Sequence, residues 1–402
     1  RRKVDTGSWT NISKVVYTYY GYDSLHGGWE DLETVTTQQW VNGAWNDTGT
    51  SYYRYYLELP SGNSSSSSSS LSSSGGAIGS PTRVRLLKYV VEPAAYTRME
   101  DDGVNPLTAS DAQIALYANY YFEYDAQRRV TKEMVEGASR TYLFSYEESG
   151  FSDGVNSWKT KTTETLPDGS QNIIFSNSDG QTMLSVLKSG SDEWNQFNKY
   201  NDTNQIVLIA NSSAITGYDE TKADLLNEQA GNYQYMKDND GLIHTFTYDP
   251  NSGFQTSDSI QKGELGTSIK LLEREYISCG SDNSSSSSSS SASGLAYFLS
   301  KEILYPSDTD QTKKIITSYA YTWYEGTCQV KEKTTTLPVI STSQNGSGVA
   351  NTRKEYFDEY GYLTWTMDER GYINQSVYDI PTGALTQLVQ DVDTGAASGV
   401  PT

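Results

Sequence analysis

The chain has 402 residues, of which 50 are acidic and 30 basic, giving a net charge of -20. This balance argues against a nucleic-acid partner, because phosphates attract basic surfaces. No apolar run approaches the roughly 20 residues that span a bilayer, so we expect no membrane insertion.

Tyrosine dominates the aromatic composition, with 32 Tyr against 9 Phe and 8 Trp. Tyr, Thr and Val fit a pleated sheet with one wet and one dry face, so the composition favours β structure. Helix-period stretches are scarce, and the sequence predicts one short helix, at KADLLNEQA (222–230). The chain starts with neither an initiator Met nor a signal region, so we expect a processed product or part of a longer protein.

The first predicted segment, residues 1–110, is a divergent β-rich repeat segment that includes the hairpin-like VYTYYGYDSLHGGWEDLETVTTQ (16–38). A Ser-rich loop lies at 61–80 and a second one at 281–294. Serine tracts cannot bury apolar surface and behave as solvated loops. Because strand-like runs flank each tract, we expect long excursions between paired strands rather than domain linkers.

The second segment, residues 111–270, is predicted to hold β-hairpin repeats with Tyr-Asp turns. Two members are YYFEYDAQRRVTKEMVEG (120–137) and YQYMKDNDGLIHTFTYDPNSGF (233–254). In each, alternating runs flank a short turn, which is the pattern of a strand pair.

The third segment, residues 271–402, continues the pattern. Residues 317–338 resemble 140–167, since each reads as a strand, a turn, a second strand and a closing TLP. Residues 352–391 line up in the same way with 172–211. Such internal repeats predict one continuous array.

The turn chemistry is clearest in INQSVYDIPTGALTQLV (373–389). Asp379 can accept hydrogen bonds from backbone N–H groups ahead of it, and Gly383 can take the left-handed conformation that a hairpin loop needs. We assign this structural turn role, and no catalytic role, to a set of aspartates and glycines: Asp125, Asp179, Asp249, Asp358, Asp379, Gly180, Gly241, Gly361 and Gly383.

A single hairpin is marginally stable in water, whereas stacked hairpins bury a continuous face. Cross-strand aromatic pairs add cohesion, and a twisted sheet that keeps growing must curl. The sequence therefore predicts an all-β fold of antiparallel β-hairpin repeats that wind into a spiral sheet, hollow tube or shell.

Four of these segments, YFEYDAQRRVTKE, TYDPNSGF, EYFDEYGYLTW and VYDIPTGALTQLV, resemble the YD-repeat (rearrangement-hotspot, Rhs) family. The resemblance covers residues 110–395 and is looser before them. It implies a hollow shell of hairpins, which is secreted or extracellular in the bacterial toxin and teneurin-like members. Toxin members also carry a self-cleaving aspartyl site with paired DPxG motifs. Only 249–253 and 379–384 approach that motif here, both in ordinary repeat turns, so we do not carry the cleavage over.

Candidate modifications follow from residue types. Cys279 and Cys328 are 49 residues apart and could form one disulfide in an oxidising compartment. N-x-S/T sequons make a set of asparagines candidate glycosylation sites: Asn11, Asn46, Asn63, Asn201, Asn211, Asn283, Asn345 and Asn374.

The sequence predicts no cofactor and no metal. His26 and His244 are far apart, and C-x-x-C spacing is absent. The acidic stretches 237–241, 307–311 and 390–395 invite a calcium interpretation, but they lack the full spacing of a calcium loop. We therefore expect solvated turns there.

The sequence favours a structural, non-enzymatic scaffold of a large secreted or cell-surface protein. We expect its sheet edges to self-associate, with an extracellular fibre as one form of the assembly, because unpaired edge strands can pair with another chain. One alternative is a shell segment of a polymorphic toxin. Another is a carbohydrate-binding or adhesion module that uses exposed tryptophans such as Trp194 or Trp365.

Overall fold

A computed structural model describes residues 11–22, 24–58, 85–279 and 296–392. The chain divides into two compact units, residues 1–195 and 196–402. Antiparallel strand pairs dominate the described part of each unit, which confirms the predicted all-β hairpin class. Both predicted Ser-rich loops lie outside the described residues. The three-segment division of the sequence stays a prediction.

The first unit is a meander in which each strand pairs antiparallel with the next one along the chain. Its strands are β1 (Ser13–Tyr19), β2 (Leu32–Val41), β3 (Ala44–Tyr56), β4 (Leu86–Val91), β5 (Tyr120–Tyr124), β6 (Val130–Val135), β7 (Arg140–Glu148), β8 (Trp158–Thr165), β9 (Gln171–Asn177) and β10 (Thr182–Ser189).

Two helices, α1 (Pro93–Asp101) and α2 (Asp111–Ile114), interrupt this meander between β4 and β5. Pro93 begins α1, where its missing N–H costs nothing. Ser110 and Gln113 form a capping box at α2. The helices cover a cluster of buried side chains that includes Tyr52, Val91, Met99 and Ile114.

The second unit continues as an antiparallel meander from β12 (Ile206–Ala210) onward, with one separate two-stranded ladder of β13 (Glu228–Gln229) and β14 (Asn232–Tyr233). β11 (Asp192–Tyr200) contains the unit boundary, and its residues 197–200 pair with β12. The other elements are β15 (Leu242–Tyr248), β16 (Gln255–Lys262), β17 (Ile269–Cys279), β18 (Ala296–Leu304), β19 (Ile315–Trp323), β20 (Val330–Thr336), a 3₁₀ turn (Thr342–Gln344), β21 (Thr352–Phe357), β22 (Leu363–Met367), β23 (Ile373–Asp379) and β24 (Ala384–Val389).

The strands that flank each serine tract pair with each other, as the sequence predicted. Tyr56 lies opposite Leu86 across the first tract, and Cys279 lies opposite Ala296 across the second. Each tract therefore connects two strands that pair with each other.

The internal repeats also correspond in structure. Residues 140–167 and 317–338 each contain one antiparallel pair, β7 with β8 and β19 with β20. Residues 172–211 and 352–391 each span four successive strands, β9 to β12 and β21 to β24. The two members of each aligned pair therefore contain the same number of strands.

The helix predicted at 222–230 is wrong. Leu225 (φ 65°) and Asn227 (φ 53°) take left-handed conformations that an α-helix of L-residues excludes. Leu225 and Leu226 are both fully buried, so the side chains of these two consecutive residues both point into the protein interior. The Asp224 carboxylate accepts a 3.1 Å hydrogen bond from the Asn227 backbone and fixes a turn there.

Candidate functional site: the hairpin corners

The Asp125 corner joins β5 to β6 through side chain-to-backbone bonds. Its Oδ1 accepts from the backbone N–H of Gln127 and of Arg129, both at 2.9 Å. The Arg129 Nε donates to Oδ2 at 2.8 Å. Burial by itself raises the pKa of Asp125, but the bonds from Arg129 outweigh it, so the pKa lies below its usual value. The carboxylate is thus held ionised as a turn acceptor.

The same corner recurs at Asp358, whose Oδ1 accepts from the backbone of Tyr360 at 3.0 Å and of Tyr362 at 2.9 Å. Gly361 stands between them with φ 89°, a conformation that favours glycine. Equivalent bonds to the second and fourth residues ahead occur at three further positions: Asn177, Asn201 and Asp368.

Asp179 is not the capping residue of its corner. The side chain of Asn177 accepts from the backbone of Asp179 at 3.1 Å and of Gln181 at 2.9 Å. Gly180 has φ 78° inside this turn. The sequence placed the acceptor two residues too late, because Asn supplies the same oxygen as Asp and was overlooked.

Asp249 closes the β15–β16 corner. Its Oδ1 accepts from the Asn251 backbone at 3.1 Å and the Ser252 backbone at 2.7 Å. The bonds from the Ser252 backbone and hydroxyl lower the pKa of Asp249. Gly253 (φ 72°) provides the left-handed residue of this turn.

Because Gly253 is the left-handed glycine of the β15–β16 corner, Gly241 does not belong to that corner. It precedes β15 with φ 85°, and a Cβ added there would come within 2.3 Å of the backbone N and Cα of Ala214. Its role is a close backbone approach rather than a loop between paired strands.

Asp379 closes the β23–β24 corner mainly through its backbone. Its carbonyl accepts from the N–H of Gly383 at 2.7 Å, and its carboxylate accepts from the Thr382 hydroxyl. Gly383 has φ 68° and lies against the Tyr362 ring.

Tyrosine hydroxyls fasten neighbouring hairpins where the backbone ladder stops. The last register pair between β4 and β5 on this side is Tyr89 with Tyr121, and beyond it Tyr124 donates to the Leu87 carbonyl at 2.9 Å. Burial raises the pKa of Tyr124, so its hydroxyl stays a donor. Four equivalent ties run from Tyr146 to Val130, Tyr248 to Ile206, Tyr276 to Gln255 and Tyr321 to Leu299.

These ties were missed in the sequence. Tyr124 and Tyr248 each precede a corner aspartate, so the Tyr-Asp pair combines a tie to the neighbouring strand with a turn cap. The signal available was the excess of Tyr over Phe, 32 to 9, because only Tyr carries a hydroxyl.

A disulfide joins Cys279, at the end of β17, to Cys328, in the β19–β20 turn. The Cα atoms lie 5.6 Å apart, and Cys279 is buried. The bond therefore links the β17–β18 strand pair to the β19–β20 strand pair. It lies at the end of β17 where the second serine tract begins.

The sequons differ in how their amides are engaged. Asn46 and Asn345 are exposed, and the Asn46 Nδ2 donates to the carbonyls of Val41 at 3.4 Å and Ala44 at 3.3 Å. Asn201 caps a corner, and its Nδ2 donates to Gln205 at 2.9 Å. Asn374 donates to the Thr366 hydroxyl at 3.4 Å. Of the remaining sequons, Asn11 and Asn211 are half-buried, and Asn63 and Asn283 lie outside the described residues.

The two tryptophans named for carbohydrate stacking differ. Trp194 is 46% exposed, but Trp365 is only 8% exposed, so the expectation that Trp365 is exposed is wrong. Trp365 lies on β22 opposite Tyr356 and Gln375.

Within the described ranges, no group of three or more His, Cys, Asp or Glu side chains is placed to hold a metal ion. His244 Nδ1 lies 3.4 Å from Asp258 Oδ1 across β15 and β16, while His26 lines a cavity beside β3. Neither described α-helix is long and apolar enough to cross a membrane.

No family model and no curated protein matches the chain. Among solved structures, it is similar to a TcdB2–TccC3–Cdc42 crystal structure (9% identity over 89% of this chain, TM-score 0.29). It is also similar to the Photorhabdus luminescens Tc holotoxin pore with mutated TccC3 (13% over 96%, TM-score 0.27) and to TcdB2–TccC3 (12% over 95%, TM-score 0.27). The chain spans 16%, 18% and 20% of the length of those chains, respectively.

Proposed function

We propose that the chain is a non-enzymatic scaffold, a wall of antiparallel hairpins that belongs to a secreted or cell-surface protein. The carrying observation is the repeated corner, in which an Asp or Asn side chain caps the turn and a Tyr hydroxyl ties it to the preceding strand. These hydrogen bonds stabilise each turn and its contact with the preceding strand, which suits a sheet built from many strands.

The corner carboxylates support a structural role over proton transfer. Asp125 and Asp249 accept backbone N–H bonds, and their pKa values are lowered. A general acid needs a pKa near the working pH, which such an environment opposes. The proposal therefore assigns no chemistry to these residues.

The disulfide between Cys279 and Cys328 supports an extracytoplasmic location, because such bonds persist in oxidising compartments. The Tyr-Asp corners support a more specific form of the proposal, in which the wall is a segment of an enclosing shell, as in polymorphic toxins.

We also propose that the wall associates through its edge strands. In the described residues β1 pairs only with β2 and β24 only with β23. Val15, Tyr17 and Tyr19 are exposed on β1, as are Leu385 and Leu388 on β24. An apolar, unpaired edge favours pairing with a second copy or a neighbouring strand. Sedimentation velocity checks this. A Val16→Pro variant should reduce any concentration-dependent association, and a monomer at all concentrations contradicts it.

Electron micrographs of the purified chain, combined with hydrogen exchange, test the scaffold. We expect slow exchange that continues from β5 to β8 and from β15 to β20. Fast exchange throughout these strands would overturn the scaffold. A closed particle that protects an internal segment from protease supports the shell form, whereas an open sheet refutes the shell and leaves the scaffold in place.

A further inference from the structure

A cavity of about 350 Å³ opens in the first unit beside β3 and β4. This volume falls within the roughly 300–1,000 Å³ typical of small-molecule sites. Charged and aromatic side chains converge on it: His26, Arg54, Tyr55, Tyr56, Lys88 and Asp111.

Two cations, Arg54 and Lys88, and two carboxylates, Asp111 and Glu58, line the cavity, and three of these four groups form one ion group. Asp111 at the start of α2 pairs with Arg54 Nη1 at 2.7 Å and with Lys88 Nζ at 2.5 Å. One carboxylate thus faces two cations, which leaves one positive charge in excess. Because the Arg54 side chain is only 1% exposed, water compensates that excess poorly. Glu58 also lines the cavity, but it is exposed, so solvent screens its charge.

Arg54 is committed to the protein. Its Nε donates to the Tyr52 hydroxyl at 2.9 Å, and its Nη2 donates to the carbonyls of Ala109 at 2.5 Å and Pro106 at 3.3 Å. The guanidinium is therefore a fixed positive charge, and the segment between α1 and α2 holds it in place.

Lys88 is the available donor. Its ammonium has three N–H bonds, and among the described residues one acceptor, Asp111, is assigned to it. The rings of Tyr56 and Tyr89 lie 5.0 Å and 5.6 Å from Nζ and orient the ammonium. A ligand carboxylate next to Lys88 would complete its hydrogen bonding.

Two further lining side chains, Tyr55 and His26, are aromatic and neutral. Burial raises the pKa of Tyr55 to about 12, so this phenol stays uncharged. Burial and the nearby Arg54 lower the pKa of His26, so the imidazole is neutral at pH 7. These rings suit an aromatic or aliphatic body rather than a strongly hydrated ion.

We infer that this cavity binds a small organic anion, with its carboxylate on Lys88 and its apolar body against the Tyr56 ring. Isothermal titration calorimetry with benzoate tests the site. Saturable one-site binding is expected, and Lys88→Met should weaken it about tenfold or more, because a charge-assisted bond is lost. Lys313→Met, which removes an exposed lysine in the second unit, is the matched control and should bind like the wild type.

A second variant separates ligand binding from folding, because Lys88 also contacts Asp111. His26→Trp narrows the cavity without touching the ion group and should abolish benzoate binding while the melting temperature is retained. Benzylamine, of similar shape and opposite charge, should not bind. Absence of saturable benzoate binding, equal binding by Lys88→Met, tighter binding of benzylamine, or phosphate binding as well as benzoate would each overturn the assignment.

Discussion

The Tyr124 hydroxyl donates a 2.9 Å hydrogen bond to the Leu87 carbonyl on the preceding strand. The backbone ladder between these strands holds only two register pairs, Val90 with Tyr120 and Tyr89 with Tyr121. The hairpins therefore separate toward the Asp125 corner, and the phenol bridges the gap. Tyrosine fastens neighbouring repeats, whereas the aspartate fastens the turn within one repeat.

Tyr124→Phe tests this tie. The variant keeps the edge-to-face ring contact with Tyr56 and loses one hydrogen bond, so the free energy of unfolding should fall by about 0.5–1.5 kcal/mol. Urea unfolding provides the measurement. Tyr17→Phe is the control, because Tyr17 is exposed on β1 and should give a change near zero. Equal effects of both variants would show that the tie contributes nothing.

Asp358→Ala tests the corner cap. It removes the acceptor of two backbone N–H groups, those of Tyr360 and Tyr362, and should cost about 1–2 kcal/mol of unfolding free energy. Amide hydrogen exchange at Tyr360 and Tyr362 should accelerate. Asp358→Asn keeps the oxygen and should lose less. Glu359→Ala, an exposed change in the same turn, should leave exchange at those amides unaltered.

How much of this corner could be predicted depends on the residue type. Asp125 and Asp358 were found because a Tyr-Asp or Phe-Asp pair preceded each turn. Asn177 was missed because an aspartate follows it in the same turn and drew the assignment. The sequence predicts that a side-chain acceptor caps the turn. Which of two nearby acceptors does so depends on which backbone N–H groups the turn exposes.

Other features could not be read from local pattern. The stretch 222–230 has helix-forming composition, yet the turn at Leu225 buries two leucines together and overrides propensity. Conversely, α1 and α2 are specified by contacts with β3 and β4, residues distant in sequence. The Tyr hydroxyl ties likewise depend on strand register, which alternation alone does not fix.

Reduction of the disulfide should destabilise the second unit. The bond closes a loop between residues 49 apart, so the chain-entropy relation gives a loss of about 4 kcal/mol in unfolding free energy. Thermal melts with and without reductant measure it. A Cys279→Ser, Cys328→Ser double variant should melt like the reduced wild type and should not respond to reductant. A wild type that is insensitive to reductant would contradict the expectation.

Acid should weaken the corners. The folded pKa of Asp125 lies below its unfolded value of about 3.9, so its stabilisation is present above that pH and is lost as pH falls through the folded pKa. Urea unfolding at pH 7, 4 and 3 should show a smaller acid loss in Asp125→Asn, which cannot ionise. The exposed Asp202→Asn variant should follow the wild type. Parallel pH profiles for all three proteins would exclude this contribution.

Alanine substitutions at two glycines with nearly the same φ angle distinguish the cost of backbone strain from the cost of a steric clash. Gly43 has φ 82° and faces open space, whereas Gly241 has φ 85° and its hypothetical Cβ would lie 2.3 Å from the Ala214 backbone. Gly43→Ala should cost about 1–2 kcal/mol, the strain of a left-handed L-residue. Gly241→Ala adds a clash with backbone and should exceed about 4 kcal/mol. Comparable melting temperatures for the two variants would mean that the backbone before β15 shifts to accommodate the added Cβ. Gly241 would then be required only for its left-handed φ angle.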